Sequence, residues 1–240
     1  MQWTEEGIVL ATRKHGETSV ILEILTRSRG RAVGLARGGR SKTLRATLQP
    51  GNSVVATWRA RLEEHLGIFM IEPLRSRAAN LIDHSVRLAG LTTVTALTRL
   101  LPEREPHPRM YDATNVLFDH LEDDAVWPAL LVRWELGLLD ELGFGLDLAS
   151  CAATGSNEAL TYVSPKSGRA VSREAGEPYR GRLLRLPAFL MTGGAASPDD
   201  IKDGFALTSY FLQRHLLEPR GLAMPPSRNL VVESFESGRT

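Results

Sequence analysis

The chain has 240 residues, 42% of them hydrophobic and 24% charged, which suits one sizeable soluble globular domain or two small ones. No apolar run approaches the roughly 20 residues that span a bilayer. Met1-Gln-Trp-Thr-Glu-Glu6 lacks a secretory leader, and Cys151 is the only cysteine, so no internal disulfide forms and a cytoplasmic protein is expected.

In chain order, Gly7–Thr12 and Val20–Thr26 read as strands around a turn at His15-Gly16-Glu17. Ser28-Arg29-Gly30 leads into a third strand, Arg31–Ala36. In Ser53–Leu62 the residues Val54, Ala56, Trp58, Ala60 and Leu62 alternate with Val55, Thr57, Arg59 and Arg61. A fifth strand, Leu66–Glu72, is expected to end at Pro73. Five short strands without a long helix suit a small closed barrel. From Ala78 the period becomes helical: Ala78–Leu101 predicts one long helix, Pro102–Pro108 a linker, and Arg109–Leu121 and Trp127–Leu142 further helices. Leu131, Trp134, Leu138 and Leu142 form the apolar stripe of the last. Residues 147–180 break this pattern, with a hairpin predicted between Leu160–Val163 and Arg169–Ser172 across Ser164-Pro-Lys-Ser-Gly168. Ser197 and Pro198 signal the start of a helix at Asp199–Leu217, and the tail after Val232 is expected to be mobile. The domains are therefore 1–77 and 78–240.

The net charge of +1 conceals an asymmetry, because residues 1–77 carry 13 Lys+Arg against 7 Asp+Glu and the remainder 16 against 21. A basic amino-terminal part points to a polyanion. Its charges cluster at turns: Arg27, Arg29 and Arg31 around Gly30, then Arg37-Gly-Gly-Arg40-Ser-Lys42 with Arg45 behind. Glycines admit a phosphate to the backbone and the cations neutralise it. Arg59 and Arg61 are expected to face the same polyanion. The competing reading is arginines for solubility. Few aromatic rings precede Pro73, so contacts to phosphates rather than stacked bases are expected to dominate.

Catalytic signatures are missing. The histidines at 15, 65, 84, 107, 120 and 215 are dispersed, and no nucleophile motif or paired-carboxylate nuclease pattern is present. His15 and Glu17 read as a turn, and Asp123-Asp124 as a cap ahead of Trp127. Arg133, on an otherwise apolar helix, either pairs with Glu135 or another carboxylate, or receives an acidic, hydrophobic peptide end.

Short motifs are spread over the whole chain: Glu6-Gly-Ile-Val-Leu10, His15-Gly-Glu-Thr18, Leu35-Ala-Arg-Gly-Gly-Arg40, Leu48-Gln-Pro-Gly51, Arg133-Trp-Glu-Leu-Gly-Leu-Leu-Asp-Glu-Leu-Gly143 and Pro226-Ser-Arg-Asn-Leu230. In this order and spacing they resemble the RecO family of bacterial DNA repair proteins. The resemblance implies an α+β protein, an OB-fold barrel followed by a helical domain with a zinc-finger-like insert. It also implies a non-enzymatic recombination mediator that binds single- and double-stranded DNA and anneals complementary strands. Such a mediator helps load the recombinase onto DNA coated by single-strand-binding protein, together with RecR. Arg133 matches the family arginine that would meet the acidic tail of single-strand-binding protein. The resemblance implies two Cys-x-x-Cys pairs in the insert of many relatives, whereas Cys151-Ala-Ala-Thr154 keeps one sulfur, so a hairpin without metal is expected and no cofactor. A protein–protein adaptor whose barrel does not bind DNA is the alternative.

Overall fold

Alternation of apolar and polar residues drives the first part of the chain into strands whose apolar faces share one interior. The computed structural model describes residues 1–62 and 64–237. It places β1 at Gln2–His15, β2 at Ser19–Thr26, β3 at Gly30–Ala36, a one-turn helix α1 at Lys42–Thr47, β4 at Ser53–Arg59 and β5 at Ile68–Arg75. These strands close into a barrel in the order β1-β2-β3-β5-β4. Closure depends on β1, which pairs with β4 through its first half and with β2 through its second, bending at a bulge between Val9 and Ala11. A two-residue parallel contact, Leu35 and Ala36 against Ile68 and Phe69, joins β3 to β5. Val9, Leu22, Ile24, Val54, Ala56, Trp58 and Phe69 fill the interior. This is the strand order of an OB fold.

Two strand ends differ from expectation. β4 stops at Arg59, where Ala60 is half-buried and Leu62 exposed, because pairing with β1 ends at Gln2. β5 runs through Pro73, which sits beside a register shift between Ser53 and Val54 and beyond the end of β3, where its missing N–H costs no ladder bond.

The chain divides into compact units Met1–Asp119 and His120–Thr240. The first includes α2 (Arg77–Asn80), α3 (Ser85–Thr98) and α4 (Pro108–Asp119) with the barrel. The single helix expected over Ala78–Leu101 is broken at Leu81–His84. Asn52 explains the break: its side-chain amide donates to the carbonyls of Ala46 and Thr47 while its oxygen accepts from the Ala78 N–H, pinning α2 to the barrel. Arg77 is buried and donates to Ser53 Oγ, Asn115 Oδ1 and Asp119 Oδ1. The prolines of 102–108 do end a helix, but they do not form a free linker. Glu103 bridges to Arg31, Arg104 N–H donates to the Arg31 carbonyl at 2.9 Å, and the Glu105 carbonyl occupies the space a Cβ on Gly30 would need.

In the second unit α5 (Trp127–Glu141) buries Trp127, Leu131, Trp134 and Leu138. The insert pairs β6 (Leu160–Val163) with β7 (Ala170–Ser172), as the turn residues predict, followed by α6 (Arg173–Gly176) and β8 (Leu184–Arg185). Then come α7 (Ala188–Thr192), α8 (Pro198–Phe211), widened into π winding over Leu212–Leu217, and α9 (Pro226–Glu236). Helix α9 corrects the mobile tail as far as Glu236: Val231 is buried, and Phe235 packs on Trp127 and Phe205 at 5.8 Å. Residues 238–240 of that tail lie outside the described residues. Asp123 and Asp124 do not cap α5 with their side chains, since Asp123 accepts from Ala125 N–H and Asp124 from the Trp127 indole. Among the described residues no helix is long and apolar enough to cross a membrane.

Candidate nucleic-acid interface

Strand register sets the outer face of the barrel. Arg13 on β1 stands opposite Ile21 on β2, Ile21 opposite Leu35 on β3, Leu35 opposite Ile68 on β5, and Ile68 opposite Arg59 on β4. Side chains in one such row share a face. Ile21 and Leu35 are half-buried, and Arg13, Ile68 and Arg59 exposed. Two arginines thus bracket an apolar strip across the strands. Arg61 follows Arg59 in the β4–β5 loop and is also exposed.

At the end of β1 the 37–45 segment builds a second basic element. Gly39 lies so close to β2 that a Cβ would sit 2.5 Å from Val20. Ser41 caps α1 by accepting the Leu44 N–H at 3.3 Å, which places Lys42 and Arg45 on one exposed side. Arg40 donates to the carbonyls of Gly16 and Glu17, at 3.3 and 2.5 Å, and so ties this segment to the β1–β2 turn. Between them opens a cleft of about 330 Å³ lined by Lys14, Arg40, Arg45, Thr12 and Gln49 over Val20 and Leu48. Arg13, Lys14, Arg37, Lys42, Arg45, Arg59 and Arg61 make no ion pair or side-chain hydrogen bond with another described residue. These are cations that the fold leaves without a partner among the described residues.

The turn arginines have other work. Arg27 grips Asp112 of α4 through two parallel bonds of 3.0 Å, and this hydrogen bond holds the Asp112 carboxyl below the usual range while raising Arg27. Arg29 faces Glu5 at 3.4 Å. Arg31 is half-buried, donates to Glu23 and to the Leu101 carbonyl, and burial lowers its pKa. Glu23 also takes Arg99 at 2.9 Å. Thus Arg27 and Arg31 lock the β2–β3 turn to the helices behind it and are not brought to the Arg13–Arg59 row. Lys14 and Arg13 were not singled out in the sequence, although they stand at the end of a strand beside a glycine turn.

In the second unit Arg133 is exposed, lies over the Phe189 ring at 5.4 Å and donates to the Phe189 carbonyl. It does not pair with Glu135. That carboxylate is fully buried and belongs to Arg228, whose Nε and Nη2 reach it at 2.7 and 2.9 Å, with Thr208 and Ser209 completing the network. Arg228 lies in the Pro226–Leu230 motif, yet its part in the core gave no local signal. Cys151 is buried against Tyr162 and Val171. Burial pushes its thiol up, but hydrogen bonds from Ser172 and Thr154 and from the backbone more than offset this, to about 6. Its Sγ accepts from the Ser172 N–H at 3.2 Å. Among the described residues no group of three His, Cys, Asp or Glu side chains assembles that fits a metal ion.

A five-stranded barrel with a cation-rimmed outer face, followed by a helical unit, defines an OB-type protein of the α+β class. Family comparison makes this specific. The model of the recombination protein O N terminal matches residues 1–77, and that of the recombination protein O C terminal matches 84–222. The chain is 56% identical over 238 residues to a DNA repair protein RecO of Methylobacterium nodulans, covering 97% of each. It is 54% identical over 230 residues to that of Chelativorans (95% of this chain, 93% of the relative) and 52% over 236 residues to that of Rhizobium etli (98% and 92%). The chain belongs to the RecO family of DNA repair proteins.

Proposed function

We propose that the protein is a DNA-binding recombination mediator that anneals complementary strands and helps load the recombinase onto DNA coated by single-strand-binding protein, without a bond-breaking step of its own. The carrying observation is the set of uncommitted cations on one barrel, Arg13 and Arg59 around an apolar strip and Lys14 and Arg45 in the cleft. Family membership supports DNA as the polyanion. Contacts of this kind neutralise phosphates and release counterions, so affinity falls steeply with salt. RecR and the acidic tail of single-strand-binding protein are the proposed protein partners, the tail meeting Arg133, which stays exposed beside Phe189.

The test replaces Lys14, Arg37 and Arg45 together by glutamine and measures oligonucleotide affinity across salt. Each lost contact to a single strand removes about 0.7 from the log–log slope, so the triple variant flattens it by about 2. An unchanged slope with intact folding rejects the cleft as the binding surface. Strand annealing by the same variant should slow in parallel.

A further inference from the structure

A pocket of about 160 Å³ opens at one mouth of the barrel, within the first unit, walled by Trp3, Trp58, Ser28, Arg29, Arg104 and Pro106. We propose that it takes one unstacked pyrimidine base of single-stranded DNA, an inference that rests on the DNA-binding reading above.

Three observations carry it. First, the pocket holds a partly buried indole: Trp3 stacks on Trp58 at 5.9 Å with 14° between planes and meets the edge of Phe69 at 5.9 Å, so its ring is fixed in place. A rigid ring needs no ordering to stack a base. Second, the cations at the rim are neutralised. Glu5 faces Arg29 at 3.4 Å and accepts from the Ser28 hydroxyl, and Glu103 faces Arg104 at 3.4 Å. A neutral, flat ligand with carbonyl acceptors suits such a rim better than a phosphate does. Third, Arg104 has φ +64, a left-handed backbone that a side-chain-bearing residue rarely adopts. Its guanidinium donates to the carbonyls of Glu64 and His65, at 3.1 and 3.4 Å. Strain kept at a pocket rim is a mark of a functional position. Size then selects among bases, since a cavity of roughly 150 Å³ accepts one benzene ring, and a single six-membered ring matches this volume where a purine overfills it.

The experiment uses the full chain and four strands of equal length: all thymidine, all abasic, abasic with one central thymine, and abasic with one central adenine. Stacking of one base predicts at least about fivefold tighter binding for the single-thymine strand than for the abasic one, with a smaller gain for adenine. The thymine strand should quench indole fluorescence, and Trp3→Phe should remove that quenching. Arg104→Gly, which keeps the left-handed backbone at no cost, should abolish the thymine gain while the abasic strand binds nearly as before. Equal binding of abasic and thymine strands by the unaltered protein overturns the pocket and leaves the phosphate-binding reading standing. Equal gains for adenine and thymine overturn the single-ring selection. Failure of every strand to bind overturns both. Quenching by an acidic peptide ending in phenylalanine, without quenching by thymine strands, assigns the pocket to a protein partner and also overturns the proposal.

Discussion

Arg228 and Glu135 show what single residues contribute to the helical unit. Their pair is sealed from water, 2% and 0% exposed, and besides each other they meet hydroxyls and a carbonyl of α8 and, for Arg228, the Phe205 ring at 5.7 Å. Removing two ions from water is expensive, so the pair adds little net stability compared with apolar residues of the same volume. Breaking it is another matter. Arg228→Met leaves a buried carboxylate without its cation, and an expected loss of about 3–5 kcal/mol follows. Glu135→Met combined with Arg228→Met should recover most of that loss. Urea unfolding of the three proteins checks it, and equal losses in single and double variants would mean that the charges are not coupled. The cost of an unpartnered charge explains why Arg228 and Glu135 are buried only as a pair.

At the scale of elements, caps and clips decide where the periodic pattern begins and ends. Helix α8 starts at a reciprocal box in which Ser197 Oγ accepts the Asp200 N–H at 3.1 Å and the Asp200 carboxylate accepts from Ser197 N–H and hydroxyl. Those bonds, the Ser197 hydroxyl first, hold the Asp200 carboxyl below its usual value. A depressed carboxyl stabilises the fold fully above its unfolded value of 3.8 and loses that contribution as pH falls through the lower folded value. Ser197→Ala should therefore cost about 1 kcal/mol at neutral pH, and Asp200→Asn should narrow the difference in melting temperature between neutral and strongly acidic solution. An unaltered acid response would remove Asp200 from this role. Ser197 was legible because a cap and its box lie within four residues, and the strands were legible because burial alternates along them. The break at Leu81 was not, since its cause, Asn52, lies 26 residues from Ala78. The same holds for the site. Lys14 joins Arg40 and Arg45 only through strand pairing, Lys14 opposite Val20 and Val20 opposite Ala36, and two partners lie far along the chain, Asp112 for Arg27 and the Leu101 carbonyl for Arg31. Local charge density identifies the basic half; it does not say which cations the fold has already used.

At the scale of the whole molecule, the amino-terminal compact unit extends well past the boundary that charge suggests, to Asp119. Charge asymmetry and the match of the N-terminal family model both stop at residue 77, yet the barrel's ties continue well beyond it. Arg77 reaches Asn115 and Asp119, Arg27 reaches Asp112, and the strained Arg104 segment covers Gly30 and hydrogen-bonds Arg31. A fragment ending at residue 77 would leave the Arg77 guanidinium without its carboxylate and would lack α3 and α4, whose Leu91, Val94, Leu117 and Phe118 are buried in the whole unit. We expect residues 1–119 to unfold cooperatively and residues 1–77 to be less stable by several kcal/mol, as loss of a buried partner and of apolar burial requires. The longer fragment should reproduce the oligonucleotide affinity and salt slope of the full chain, because every uncommitted cation of the proposed interface lies before residue 62. It should not bind an acidic peptide ending in phenylalanine, since Arg133 is absent from it. Conversely, Arg133→Ala in the full chain should weaken that peptide and leave the DNA slope intact. Binding of the peptide by the 1–119 fragment, or a DNA slope that changes with Arg133, would show that the two proposed activities are not divided between the units as their residues are.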